Sequence, residues 1–352
     1  MQPQYLIIGQ GIAGTLLSYE FWKQGKSFLV IDQPRNISKA SLVAGAVINP
    51  VNVNRWTTVQ DQEKYIPTAL QTYREMERVL GISLIEEISM LVFYDDERKQ
   101  QLFKKAQSSS SLYMRLPTRA NITLGNRFFT GKYGIAKVAP VWKIDAAQLL
   151  LAWSGFLKSE GLFKEEYFDA EECLITPRGV AFKEIRAEKI IFCEGARAMH
   201  NPFFNKLPFI KNRGEALLLS VPALPREFIY HYGIRLVPAA EGLWWCGSNY
   251  RWQFDNLLPD PNWRMQTEAR LRQWVAIPFE VIDHVAAERP TTAGQQFLAG
   301  VHPAMPSAAI FNGLGTKGFS CGPALANALC KQLTGNGRTF SLRSNPLEKW
   351  LK

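Results

Sequence analysis

The sequence predicts an α/β fold in which a parallel sheet with packed helices is interrupted by an inserted lobe of antiparallel strands and helix. Three observations carry this reading. An apolar run meets a glycine-rich turn near the N-terminus, alternating apolar and aromatic strands fill the middle third, and a second strand–glycine–helix unit returns near the C-terminus. At 352 residues the chain exceeds the size at which single cores stop growing, so two lobes are expected.

The N-terminal unit is the most informative. Tyr5-Leu6-Ile7-Ile8 runs into Gly9, Gly11 and Gly14 at the spacing of a dinucleotide-binding turn. Gly9 permits the tight strand-to-helix turn, Gly11 lets backbone approach a pyrophosphate, and Gly14 lets the helix pack closely on the strand. The amides and dipole at the helix N-terminus hold phosphate. A helical pattern follows (Leu16, Leu17, Tyr19, Phe21), then Gly25 and a second apolar strand, Phe28-Leu29-Val30-Ile31, ending in Asp32. An acid about 20 residues past the glycines stands where a ribose hydroxyl is hydrogen-bonded.

Further along, Tyr65, Ala69, Tyr73, Met76 and Leu80 recur at three- and four-residue steps, predicting a helix over 62–80 that Gly81 stops. A strand is expected over 88–94 and a short charged helix over 95–107. Ser108 to Ser111 reads as a mobile loop tip. Asp145 is the expected N-cap of a helix beginning at Ala146, and Lys189–Cys193 an expected strand. Alternation at 216–219, 233–238 and 243–247 predicts antiparallel strands, and 268–274 a helix. The strand Ser307–Phe311 then leads through Asn312-Gly313-Leu314-Gly315-Thr316-Lys317-Gly318 into a helix with Pro323 expected in its first turn. That unit again presents backbone amides at a helix start.

Composition narrows the class. No stretch approaches the ~20 apolar residues of a membrane span, and a strand beginning at Tyr5 leaves no room for a signal peptide. Cys173, Cys193, Cys246, Cys321 and Cys330 are scattered without a C-x-x-C pair, and the four histidines are far apart. Buried reduced thiols, no metal site and a cytoplasmic setting are expected. The net charge is +10, and ten basic residues between Arg98 and Lys143 face no acid in that window. The remaining 31 basic residues match the 31 acidic ones. The segment is either a solvated face or a landing surface for a polyanion, with Phe103, Tyr113, Phe128 and Phe129 interleaved.

With both glycine clusters in view, the chain resembles the FAD-dependent D-amino acid oxidase superfamily. Within it the chain is most similar to the glycine/sarcosine oxidase group and to the oxidase half of the bifunctional tRNA wobble-uridine modification enzyme. The resemblance spans nearly the whole chain. Beyond Gly9, Gly11, Gly14 and Asp32, it rests on Ala40-Ser41 with Ala44-Gly45-Ala46-Val47, and on Ile191 to Ala196 before a glycine turn at Gly195. Arg289-Pro290-Thr291-Thr292 and Gly313 to Gly318 complete it. Three departures stand out: Glu194 replaces a small residue, Ala293 to Gln296 lacks a frequent Asp-Gly, and no cysteine lies near Ala287 to link a flavin.

The resemblance implies a Rossmann-like FAD-binding domain formed by 1–80, 144–207 and 285–352, and a substrate-binding domain formed by 81–143 and 208–284. It implies non-covalent FAD, held by Gly9, Gly11, Ile12, Ala13, Gly14, Asp32, Gln33, Ser41, Ala44, Gly45, Cys173, Gly195, Gly313, Leu314, Gly315, Thr316, Lys317 and Gly318. The implied reaction is oxidation of a C–N bond by hydride transfer to flavin N5, with oxygen reoxidising the flavin, so no histidine or carboxylate dyad is required. Arg289 and Lys317 resemble the positions that hold a substrate carboxylate. Arg55, Tyr232, Arg235 and Arg251 are further pocket candidates. Three readings stay open: a free small amine or amino acid as substrate, a carboxymethylamino group on tRNA bound through the basic window, or a flavin protein that only binds a partner.

Overall fold

The computed structural model describes residues 2–33, 40–107, 112–131, 133–335 and 346–351. The stretch Ser108–Ser111 and Lys132 lie outside the described residues.

The chain opens with β1 (Tyr5–Ile8), α1 (Ile12–Lys23) and β2 (Phe28–Asp32). Strand β1 is buried on both faces: Tyr5 and Ile7 join one core cluster, Leu6 and Ile8 another. An unbroken apolar strand is what a parallel sheet covered by helices requires. The helix α2 (Gln62–Leu80) matches its periodicity and ends at Gly81, whose φ of +66° closes the turn. Next come β3 (Ile85–Phe93), α3 (Glu97–Gln107), α4 (Arg119–Phe128) and β4 (Ile135–Ile144). The strand thus begins three residues before the sequence reading. Asp145 caps α5 (Ala146–Ser159), its carboxylate accepting from the Gln148 amide at 2.9 Å.

The short strand β5 (Phe163–Glu165) and β6 (Lys189–Phe192) return to the parallel sheet. The middle third supplies β7 (Arg213–Ser220), β8 (Phe228–His231), β9 (Arg235–Pro238) and β10 (Leu243–Gly247). Helix α6 (Pro261–Trp274) starts seven residues earlier than its apolar pattern suggests, because Asp260 caps it and Pro261 suits the first position. The strands β11 (Glu280–Glu288), β12 (Leu298–His302) and β13 (Met305–Asn312) precede α7 (Gly318–Thr334).

Two sheets result. The first runs β12-β13-β6-β1-β2-β5, parallel except for β12. The second runs β11-β7-β10-β9-β8-β3-β4 and ends on the short strand Val47–Ile48, so the first segment of the nucleotide-binding part is stitched to the inserted sheet. Strand β11 lies wholly in the second sheet, which places 285–288 with the inserted lobe and not with the C-terminal return. Pro323 sits in the second turn of α7, not the first. Its missing amide leaves the Phe319 carbonyl without a helical donor, and the buried Tyr73 hydroxyl of α2 supplies one at 2.8 Å.

Candidate active site

The turn after β1 is built from missing side chains. Gly9 has φ +103°, and a Cβ there would lie 2.5 Å from the Cys193 carbonyl oxygen. A Cβ on Gly14 would lie 1.8 Å from the Gly9 carbonyl oxygen, so α1 rests directly on its own turn. Gly11, the N-cap, has no side chain to occupy the helix end, and the Ile12 amide is met by Ser41 Oγ at 3.0 Å. At α7 a Cβ on Gly318 would come 2.9 Å from Ile12, and one on Gly322 2.7 Å from Leu16. Two helix N-termini are thereby brought to one cavity.

That cavity has a volume of about 660 Å³ and runs from the β1 turn to the face of the second sheet. It lies within the size range of cofactor sites. Of the expected residues, Gly9, Gly11, Ile12, Ala13, Asp32, Gln33, Ser41, Ala44, Gly45, Gly195, Leu314, Gly315, Thr316, Lys317 and Gly318 line it, as do Arg289 and Arg235. Glycine cradles, a helix end open to an anion and an acid closing β2 suit an adenine dinucleotide, and these residues fit FAD. Gly45 lies under Trp245, to whose ring a Cβ would approach 2.8 Å, and the Trp245 indole donates to the Val43 carbonyl at 2.8 Å. This ties the Ser41–Gly45 segment to the inserted sheet.

Gly14 and Gly313 stand behind the lining. Gly313 is a turn residue with φ +70°, a Cβ on it meeting the Gln296 carbonyl oxygen at 2.9 Å. Four expectations are corrected. Cys173 begins the strand Cys173–Thr176 on the outer side of the parallel sheet, its thiol buried in an apolar cluster and pushed up to about 12 by burial. Tyr232 stacks on Trp274 at 5.4 Å, with Arg270 over its ring, and is part of the core behind the sheet. Arg251 is drawn outward to Asp260, and Arg55 lies in an exposed turn after Asn52. None of the four lines the cavity.

Arg289 is the best-positioned cation. Its guanidinium crosses the face of β7 where Gly214 leaves room, a Cβ there lying 1.8 Å from Nη2. Nη1 donates to Asn212 Oδ1 at 2.6 Å and to the Asn249 carbonyl at 3.0 Å, and Nη2 donates to Ser248 Oγ at 2.9 Å. The Tyr250 ring lies 4.8 Å beneath it. Every acceptor is neutral. Burial weighs against its charge, but a guanidinium starts so high that it stays protonated. Buried Glu215 holds this arrangement. It accepts from Asn249 Nδ2 at 3.0 Å, while its own amide donates to Asn249 Oδ1 at 2.9 Å, and it pairs with Arg213 at 3.2 Å.

Sequence reasoning missed Asn212, Gly214, Ser248, Asn249, Tyr250 and His231. The one available signal was Arg213-Gly214-Glu215, where charge and glycine interrupt an apolar strand. Glu194 also lines the cavity. Burial raises its carboxyl above the usual range, although Asn201 Nδ2 donates to it at 2.7 Å.

The basic window divides. Helix α3 packs Phe103 on the sheet face that carries Met90 and Val92, whereas α4 packs Phe128 on the opposite face with Leu91 and Phe93. Phe103, Phe128 and Phe129 are buried core, so they offer no stacking surface. Lys99 pairs with Asp95 at 2.6 Å and Lys143 with Glu86 at 2.9 Å. Among the described residues there is no His/Cys/Asp/Glu cluster fit for a metal, and no helix is long and apolar enough to cross a membrane. All five cysteines are free and buried.

Known structures share this fold. The structure resembles glycine oxidase from Bacillus cereus (TM-score 0.79, 15% identity, 99% of this chain and 98% of that one). It resembles iminodiacetate oxidase from Chelativorans (TM-score 0.76, 18% identity, 98% of both chains). A third likeness is to L-α-glycerophosphate oxidase from Mycoplasma pneumoniae, solved with FAD bound (TM-score 0.73, 14% identity, 95% of both chains). These likenesses establish the fold. The family profile described as FAD dependent oxidoreductase (DAO) matches residues 4–332, nearly the whole chain, and the protein therefore belongs to the DAO family of FAD-dependent oxidoreductases.

Proposed function

We propose that the protein oxidises the carbon–nitrogen bond of a small amine or amino acid that carries a carboxylate. The observation that carries this reading is Arg289, whose guanidinium faces the cavity and is held only by neutral acceptors. A fixed fork with unspent charge matches a carboxylate in two-point contact. Lys317, at the N-cap of α7 on the cavity wall, adds a second cation for the same group. FAD, bound non-covalently along the Gly9–Gly14 and Gly313–Gly318 turns, supplies the two-electron acceptor. The chain's own part is to orient the amine, exclude water and hold the carboxylate. At the wall, burial and neighbouring cations keep His231 uncharged. Glycine oxidase and iminodiacetate oxidase, which share the fold, act on small carboxylate-bearing amines, and this supports the reading. Free thiols at all five cysteines favour a cytoplasmic setting.

A carboxymethylamino group on tRNA is the second reading, favoured by the ten cations of 98–143, a segment that contains no acid of its own. The division of that segment over two sheet faces and the burial of its phenylalanines favour the small free substrate. An amine screen for peroxide release under air, run beside a gel shift with bulk tRNA at low salt, tests both. Peroxide from a small amino acid without tRNA binding supports the first reading. Tight tRNA binding with a steep salt dependence, and no turnover of free amines, overturns it. Acid precipitation checks the non-covalent mode, because all yellow colour should leave with the supernatant.

A further inference from the structure

Resting on the reading that Arg289 takes one carboxylate, we propose that Arg235 reads a second one, so that the preferred substrate is an amine bearing two carboxylates. Arg235 and His231 are paired across β8 and β9. On the other side the register runs Arg235, Gly247, Ala216 across β9, β10 and β7. All of these positions share one sheet face, and Arg235, His231 and Ala216 line the cavity. Gly247 and Ala216 lie between Arg235 and Gly214, over which Arg289 crosses, and the Trp245 ring covers Gly247, where a Cβ would come 2.7 Å from it. Two strand spacings, about 10 Å, separate the rows at the backbone, and each long side chain reaches inward from its own side.

The contrast with the other enclosed arginines is the argument. Arg213 has Glu215 at 3.2 Å and the carbonyls of Asn256 and Leu258 at 2.9 and 3.0 Å. Arg226 donates to the Leu243 carbonyl at 3.0 Å and to that of Ala239. Arg289 has its three neutral acceptors. Arg235 has no hydrogen bond or ion pair to its guanidinium among the described residues, and its Nε is buried without a partner. It is half-buried and lines the cavity. Beside it, His231 is neutral with an unpartnered Nδ1. An enclosed cation with no acceptor is costly unless a ligand supplies the anion. A carboxylate at each end of a secondary amine satisfies both forks and leaves the carbon–nitrogen bond between them, beside the Trp245 ring on the cavity wall.

Two ether analogues test this without turnover. Diglycolate carries two carboxylates and methoxyacetate one, and neither has an amine to oxidise. In calorimetry on the holoprotein, diglycolate should bind roughly 10- to 100-fold more tightly than methoxyacetate. Arg235→Gln should lower that ratio by about tenfold or more, and Arg235→Lys should restore only part of it, since an ammonium keeps the charge and loses the fork. Iminodiacetate against sarcosine should show the same discrimination in KM. A wild-type ratio near one overturns the proposal even if Arg235→Gln fails to fold. Equal weakening of both ligands by Arg235→Gln also overturns it, since that is the mark of a structural residue. If Arg289→Ala leaves methoxyacetate binding intact while the Arg235 discrimination persists, the first-carboxylate reading fails and the second-anion site stands.

Discussion

At Gly14, behind the cavity lining, helix and turn meet through backbone, and the atom that a methyl group would strike, the Gly9 carbonyl oxygen, cannot move without opening the turn. At Gly214 the same methyl would strike the Arg289 guanidinium, 1.8 Å from Nη2, 2.1 Å from Cζ and 2.6 Å from Nη1, the far end of a flexible side chain. The nucleotide cradle is therefore rigid and intolerant, while the arginine wall is made of side chains that can be displaced one at a time. Cofactor binding should fail as a unit, and substrate recognition should fail in steps.

The largest effect is expected in the cradle. Gly14→Ala should abolish FAD binding and with it all activity, because overpacking against backbone costs about 1–3 kcal/mol or more and distorts the phosphate-binding turn. The flavin-to-protein absorbance ratio reads this directly, and a variant as yellow as wild type would break the contrast. At the wall, Arg289→Ala should lower kcat/KM for a carboxylate substrate by about 2–5 kcal/mol, roughly 30- to 4000-fold, with flavin content unchanged. Gly214→Ala sharpens the comparison. It should fold, keep its flavin and raise KM less than Arg289→Ala does, by pushing the guanidinium off its three acceptors. Loss of flavin in Gly214→Ala would show that the two regions are not separable.

Smaller effects probe how each region is supported. Tyr73→Phe leaves the Phe319 carbonyl beside Pro323 without its donor, at a cost of about 1–3 kcal/mol, seen as a lower Tm. The smallest concerns Glu194. Burial raises its folded-state pKa above the ordinary 4.5. The stability it contributes is therefore full below that ordinary value and is lost as pH rises through the folded one. Glu194→Gln should raise Tm at neutral pH and lose this advantage on acidification toward pH 4, as a thermal-shift series across pH would show. A Tm gain independent of pH would remove the carboxyl's charge as the cause.

The cradle was legible in the sequence because its parts are neighbours in the chain. Gly9, Gly11, Gly14 and Asp32 fall within one strand–helix–strand unit, and backbone geometry alone dictates glycine there. The periodicity of α2 and the N-cap at Asp145 were legible for the same local reason. Arg289 was found by resemblance to a family motif, and its partners were not found at all. Asn212, Gly214, Ser248 and Asn249 reach it only through strand register between β7, β10 and β11 and the loop after β10. The same holds for Pro323, where the compensating residue, Tyr73, lies 246 positions from the Phe319 carbonyl it meets.

The sequence by itself determined a dinucleotide-type cradle and the strand pattern of the middle third, since these follow from local backbone demands and apolar periodicity. Only the tertiary structure decided which cations face the cavity. Of Arg55, Tyr232, Arg235 and Arg251, it turned Arg235 inward without an acceptor and gave the others partners or solvent elsewhere. The physical reason is that a polar side chain's role depends on whether its hydrogen bonds are already spent, and those partners are set by packing between strands far apart in the chain.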